Sequence, residues 1–192
     1  MEIGKTLLVA NRKAWRAWLA KNHKRETEIW LIYHKKNTGK ERISYNDAVE
    51  EALCYGWIDS TVKSIDEKRY TQRFSVRNKT SELSQMNKER IYRLIVEKKM
   101  TKVGLAAIAH VFNPKTAKEN DFKMPVEIIA ALKANPQAWK CFKSFPNSYK
   151  RIRLAFIESR KRHGKEFYQK ALKHFVEMTA KNKRFGFVKE MK

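Results

Sequence analysis

Cysteine is almost missing from this sequence. Cys54 and Cys141 are the only two, far apart and without metal-type spacing, which fits reduced thiols in a cytoplasm better than a disulfide framework. The five histidines, at 23, 34, 110, 163 and 174, show no ligand spacing either, so no metal and no other cofactor is expected. Long apolar runs are lacking. The longest, around 104–109 and 128–132, fall far short of the ~20 residues that a membrane helix requires. Within 1–13 only 7–10 is apolar, below the roughly 7 to 15 residues of a signal-peptide core, and a cytoplasmic protein is the expectation. No GxGxxG follows a strand, and there is no Walker A loop, HExxH or GxSxG. Nucleotide-binding and common hydrolase readings lose their support, and the sequence leaves open whether any reaction is catalysed.

Acidic side chains are the scarce charge. Against 43 Lys and Arg stand 20 Asp and Glu, a formal net charge of +23, of which +12 lies in the last 53 residues. Such a field attracts polyanions: an acidic protein surface, nucleic acid, or an anionic membrane face bound without insertion. The 42% hydrophobic and 11% aromatic content supplies a core, so the chain reads as globular.

Along the chain, Asn11 is placed to cap a helix with Trp15, Trp18 and Leu19 on one face, closed by His23. The stretch 28–36, EIWLIYHKK, reads as a buried strand, and 36–41 as a turn. Ser44 with Asp47 three residues later starts the next helix, whose apolar face is Tyr45, Ala48, Val49, Ala52 and Leu53. Cys54 falls on the opposite side with Asp47, Glu50 and Glu51. Acidic neighbours and a helix C-terminus both disfavour a thiolate, so Cys54 is not expected to be a nucleophile. Gly56 is the left-handed cap, and 60–77 reads as two strands around a turn at 66–68. From Ser84 the pattern is helical, with caps expected at Thr101 and Ser148, a stop at Pro114, a linker over 113–124, and starts at Pro125 and Pro136. His163 and Gly164 break the next-to-last helix, and Ala171, Leu172, Phe175 and Met178 stripe the last.

Two candidate sites follow. Strand alternation puts Arg73 and Arg77 on one side with Thr71 and Ser75, and guanidiniums beside hydroxyls bind carboxylate or phosphate. With Lys35, Trp57 and Asp59 they would form an anion-liganding pocket, with an enzymatic role left open, if the strand ends and the helix end converge. The other candidate is a nucleic-acid or polyanion surface made by Lys150, Arg151, Arg153, Arg160, Lys161 and Arg162.

The segments WLAKNH, EIWLIYHKKNTGKERISYNDAVEEALCYGWIDSTVKSIDEKRYTQRFSVR, MNKERI and MTKVGLAAI resemble the N-terminal module of the YdeI/OmpD-associated, bacteriocin-protection family, and PNSYKRIRLAFIESRKR is similar to its helical C-terminal module. Two departures are visible: Ser75-Val76-Arg77 stands where the family tends to have Ser-Pro-Arg, and HGKEFYQKAL follows Lys161-Arg162 where further arginines would come. The resemblance implies a role in tolerance of bacteriocins or cationic antimicrobial peptides, or in envelope stress, with no settled activity. Charge selects the mode, because a protein at +23 repels a cationic peptide and instead engages an anionic partner. The expected architecture is α+β: a small antiparallel sheet packed with helices over 1–112, the linker 113–124, and a basic helical module over 125–192.

Overall fold

The computed structural model describes residues 2–35, 38–112 and 122–186. The chain forms two compact units, the first containing 1–83 and 90–114, the second 84–89 and 115–192. The α+β class holds, with a four-stranded sheet and eight α-helices among the described residues. Parts of the expected turn at 36–41 and linker at 113–124, and the Pro114 stop, lie outside the described residues.

In the first unit the sheet order is β1-β2-β4-β3, with β1 at Thr6–Leu8, β2 at Glu28–His34, β3 at Trp57–Ser64 and β4 at Arg69–Val76. The pairs β2/β4 and β3/β4 are antiparallel. The edge strand β1 runs parallel to β2, so the sheet is mixed. Parallel neighbours need a crossover, and helix α1, Arg12–Asn22, provides it. Three residues at the edge carry too little periodicity to be read as a strand in advance.

The caps act as their local chemistry dictates. Asn11 accepts from the Ala14 N–H at the start of α1, and Ser44 accepts from the Asp47 N–H at the start of α2, Tyr45–Cys54. Gly56, at φ +74°, turns the chain from α2 into β3. One sheet face receives α1: the Trp15 ring meets Phe74 edge-on at 5.5 Å and Trp18 meets Trp57 at 5.9 Å. The Trp15 indole N–H donates to the Ala48 carbonyl at 3.0 Å, which ties α1 to α2. Helix α3, Gln85–Val96, contributes its C-terminal part to this unit, and α4, Lys102–Ile108, is capped by Thr101 as expected. Thr101 also donates its hydroxyl to the Cys54 carbonyl at 2.5 Å. Gly104 lies so close to that carbonyl that a Cβ would stand 2.3 Å from its oxygen.

The second unit is helical: α5 Val126–Lys133, α6 Pro136–Ser144, α7 Asn147–Ser159, a 3-10 turn Arg160–His163, and α8 Lys165–Ala180. Pro136 occupies the first turn of α6 behind an Asn135 cap, where its missing N–H is no loss. Helix α7 starts at Asn147 after Pro146, with no side-chain cap, so Ser148 sits in the first turn and is not the expected cap. The core is Ile128, Leu132, Phe142, Tyr149, Leu154, Ile157 and Phe175 with their neighbours.

Candidate functional site

Sheet alternation and pairing decide which side chains meet. Asp59 on β3 lies opposite Phe74 on β4, so it shares a face with Tyr70, Gln72 and Phe74, and with Ile29, Leu31 and Tyr33 of β2. This is the face that carries Trp57. Arg73 pairs opposite Trp30 and lies on the other face with Glu28. The five residues expected to line an anion pocket are therefore divided by the sheet.

Arg73 is neutralised where it lies. Its Nε donates to Glu28 Oε2 at 2.9 Å and its Nη2 to the same oxygen at 2.5 Å, with Ser60 and Ser75 hydroxyls at 3.4 Å. The pair holds the Glu28 carboxyl below its ordinary value, chiefly through the Arg73 hydrogen bond. Arg77 leaves the end of β4 and is buried. Its Nη2 donates to the carbonyls of Ser81 at 2.7 Å and Glu82 at 2.6 Å, so it pins the 77–82 loop. Burial lowers its pKa. Trp57 is wholly buried against Trp18. The Lys35 backbone N–H closes the β2 end by donating to the Lys68 carbonyl at 2.8 Å.

Asp59 instead centres a polar array on the helix-covered face. Its Oδ2 accepts from the Tyr45 hydroxyl and from the Gln72 amide, each at 2.9 Å. Arg90, from α3, holds its guanidinium 5.9 Å from the Tyr45 ring centre and donates to Asn46 Oδ1 at 2.7 Å. Burial first, and then the Asp59 charge, push the Tyr45 hydroxyl up to about 12. Arg42 donates to the His34 carbonyl at 3.1 Å and to the Tyr70 hydroxyl at 3.4 Å. Tyr33 stacks on Tyr70 with centroids 5.1 Å apart and planes 6° from parallel. At 1% exposure its hydroxyl is buried and has no hydrogen-bond partner among the described residues. Burial and the charges of Tyr70, Asp59 and Tyr45 raise its pKa. Asp59 was singled out in the sequence as a site residue; Tyr33, Tyr45, Gln72, Arg42 and Arg90 were not.

The acidic side of α2 is covered too. Glu50 and Glu51 are 5% and 2% exposed because arginines close over them. Arg12 reaches Glu51 at 2.5 Å, Asp47 at 2.7 Å and Glu50 at 3.0 Å; Arg16 reaches Glu51 at 2.6 Å; Arg93 pairs with Glu50. Cys54, fully buried beside them, has its thiol pushed up to about 11, by burial first and by Glu51 next. A thiol held protonated in this way is an inert core group.

The second unit corrects the expected basic surface. Lys150, Arg151 and Arg153 are 9%, 8% and 8% exposed. Lys150 donates to the Lys143 carbonyl at 2.8 Å, and Arg151 pairs with Glu89. Arg153 is stacked between Phe185 at 4.0 Å and Phe156 at 4.9 Å. Helix α7 is buried nearly all round, and these cations use its interior acceptors and rings in place of solvent. Arg160 lies over Phe156 at 4.4 Å, Lys161 bridges Glu127 at 2.9 Å and Glu158 at 2.7 Å, and Arg162 is exposed beside His163. An open groove of about 540 Å³ runs between Glu127, Lys161, Lys165, Tyr168, Gln169 and Leu172. No group of three His, Cys, Asp or Glu that could hold a metal occurs among the described residues. No described helix is long and apolar enough to cross a membrane.

Comparison with known families divides the chain along similar lines. Residues 7–107, which include the ALCYGWIDS block, match the profile described as Domain of unknown function (DUF8412). Residues 121–182 match the profile described as Bacteriocin-protection, YdeI or OmpD-Associated. No curated protein and no solved structure matches the chain. The chain thus belongs to the DUF8412 family through the sheet-bearing region, and its helical region carries a domain of the bacteriocin-protection, YdeI or OmpD-associated family.

Proposed function

We propose that this protein is a non-catalytic, cytoplasmic binding protein that supports tolerance of bacteriocins or cationic antimicrobial peptides through an anionic partner. The observation that carries the reading is the bacteriocin-protection match over 121–182, which falls on a unit with a large surplus of exposed cations. In that unit Glu89, Glu127 and Glu158 are held by Arg151 and Lys161. Lys165, Lys170, Lys173, Lys181 and Lys183 are exposed, with Glu166 and Glu177 among them. A surface of this sign repels a cationic peptide and attracts acidic protein or lipid surfaces, so protection proceeds by engaging the partner and not by sequestering the peptide. Nucleic acid is a weaker candidate, because three of the six cations in the expected interface are interior. Deletion of the gene is expected to raise sensitivity to a cationic antimicrobial peptide, restored by the full chain; unchanged sensitivity refutes the reading.

A further inference from the structure

The groove beside α8 offers surface that the second unit leaves uncovered. Lys165, Gln169 and Leu172 stand at i, i+4 and i+7 of α8 and form one ridge, Tyr168 lies next to them, and Glu127 of α5 with Lys161 of the 3-10 turn completes the lining. The space of about 540 Å³ is open to solvent, and its walls are more apolar than polar. Leu172 packs on the core but is only half-buried. The acids beside the groove are already engaged: Glu127 Oε2 accepts from the Tyr168 hydroxyl and from the Lys161 ammonium, each at 2.9 Å, and Lys161 also reaches Glu158 at 2.7 Å. Lys165 is exposed and meets no carboxylate among the described residues.

Charge and shape together select the occupant. The stretch 158–181 has seven Lys and Arg against three Glu, and Glu127 brings the acids to four, so the field at the groove is positive. A bare phosphate is nevertheless a poor match, because Glu127 in the lining repels it. A small molecule is a poor match too, since tight small-molecule sites bury most of the ligand's surface and this groove is open. A flat lipid headgroup layer does not fill a concave, partly apolar recess. A polypeptide segment meets every demand of the lining. It brings a carboxylate for Lys165, an apolar side chain for Leu172 and the Tyr168 ring, and backbone N–H donors for Glu127, whose Oε1 carries neither of the bonds above.

We propose, resting on the anionic partner proposed above for this unit, that the groove docks an acidic peptide segment of a partner protein in which an apolar side chain neighbours an aspartate or glutamate. Lys165 pairs with the acid, Leu172 and Tyr168 cover the apolar side chain, and Gln169 lies between them on the helix.

The test is fluorescence anisotropy of the full chain with a short, end-capped, labelled peptide in which aspartates flank one leucine, at constant ionic strength, alongside NMR of the Gln169 side-chain amide. The expected result is saturable binding with a shifted Gln169 amide. The same peptide with serine in place of leucine is expected to bind about tenfold or more weakly, the value of a leucine side chain leaving water. Lys165→Glu should weaken the leucine peptide severalfold, the scale of an exposed ion pair turned into a like-charge contact. Gln169→Trp fills the groove from an exposed position without changing charge, so it should fold, lose the leucine peptide and keep its heparin retention. Circular dichroism of Gln169→Trp guards against a trivial loss through unfolding. Serine and leucine peptides binding equally, or Gln169→Trp binding the leucine peptide as the parent does, overturns the groove in favour of diffuse attraction to the basic surface. No binding of the leucine peptide up to about 1 mM also overturns it, as does binding only of phosphatidylserine vesicles that Gln169→Trp abolishes. In each of these cases the anionic-partner reading stands as long as heparin is retained and the full chain restores peptide tolerance to a deletion strain. Unchanged sensitivity on deletion refutes that reading and leaves the measured peptide binding untouched.

Discussion

Arg151 grips Glu89 with two parallel hydrogen bonds, Nε to Oε1 at 2.6 Å and Nη2 to Oε2 at 2.8 Å, and both side chains are buried. A fork-to-carboxylate pair in this setting is geometrically specific, and removing one partner strands the other as a buried charge. The arginine that looks like part of a polyanion surface in the sequence is a strut joining α7 to the start of α3.

Arg151→Met is therefore expected to lower stability by roughly 3–5 kcal/mol, the usual penalty for a broken buried pair. Polyanion affinity of the protein that remains folded should not change. Urea unfolding measures the first and heparin retention below the unfolding transition the second. A variant that keeps its stability but loses heparin retention would return Arg151 to the surface.

Gly104 makes a steric prediction of similar weight. A methyl group there would sit 2.3 Å from the Cys54 carbonyl oxygen and 2.9 Å from that of Leu53, and the obstacles are backbone. Helix α4 would have to lift away from the end of α2, and the Thr101 bond to Cys54 would lengthen with it. Gly104→Ala is expected to destabilise by about 1–3 kcal/mol or more, as overpacking does, read from the urea midpoint. Full stability in this variant would mean that the close approach of α4 to α2 does not exist.

The elements whose cause is local were legible from the sequence. Asn11, Ser44, Thr101, Gly56 and Pro136 act on backbone groups within a few residues, and each occupies its expected place. What escaped was set by distant partners. Lys150, Arg151 and Arg153 look solvated on a helical projection because the Lys143 carbonyl, Glu89 and Phe185 that receive them come from elsewhere in the chain. Glu50 and Glu51 escaped likewise, since Arg12 and Arg16 lie more than 30 positions upstream. The Asp59 array shows the middle case. The sequence singled out Asp59 but paired it with Arg73, and the two lie on opposite sheet faces. An irregularity between Asp59 and Val62 shifts the β3/β4 register, and nothing in 57–64 announces it.

The buried thiol predicts a pH dependence with a definite sign. The folded-state value for Cys54, about 11, lies above the ordinary value of about 9, so the folded chain holds this proton more tightly than the unfolded one. Its contribution to stability is full below about pH 9 and declines as pH rises through about 11. The decline should amount to roughly 3 kcal/mol at most and should vanish in Cys54→Ala when the two proteins are compared across that window. Iodoacetamide at about pH 8, below the thiol's ordinary value, should leave the native thiol intact and modify it readily in urea. Fast alkylation of native Cys54 at neutral pH, with loss of a measurable turnover, would reassign the residue to chemistry.

The distribution of charge in the second unit separates two explanations of anion binding. If the exposed lysines engage the anion, converting Lys165, Lys170 and Lys173 to Glu should abolish heparin retention at moderate salt and leave the fold intact, because all three side chains project into solvent from α8. The same variant should flatten the dependence of log affinity on log salt, by roughly 0.7–0.9 for each phosphate no longer neutralised on a nucleic-acid ligand. It should also fail to restore peptide tolerance in a deletion strain. If binding reflected net charge alone, an equal reversal at exposed residues of the first unit, Lys13, Lys24 and Lys68→Glu, would weaken retention to the same degree. Equal effects from the two sets would detach the anionic partner from the bacteriocin-protection region, while weakening by the α8 set alone would fix the anion's binding surface there.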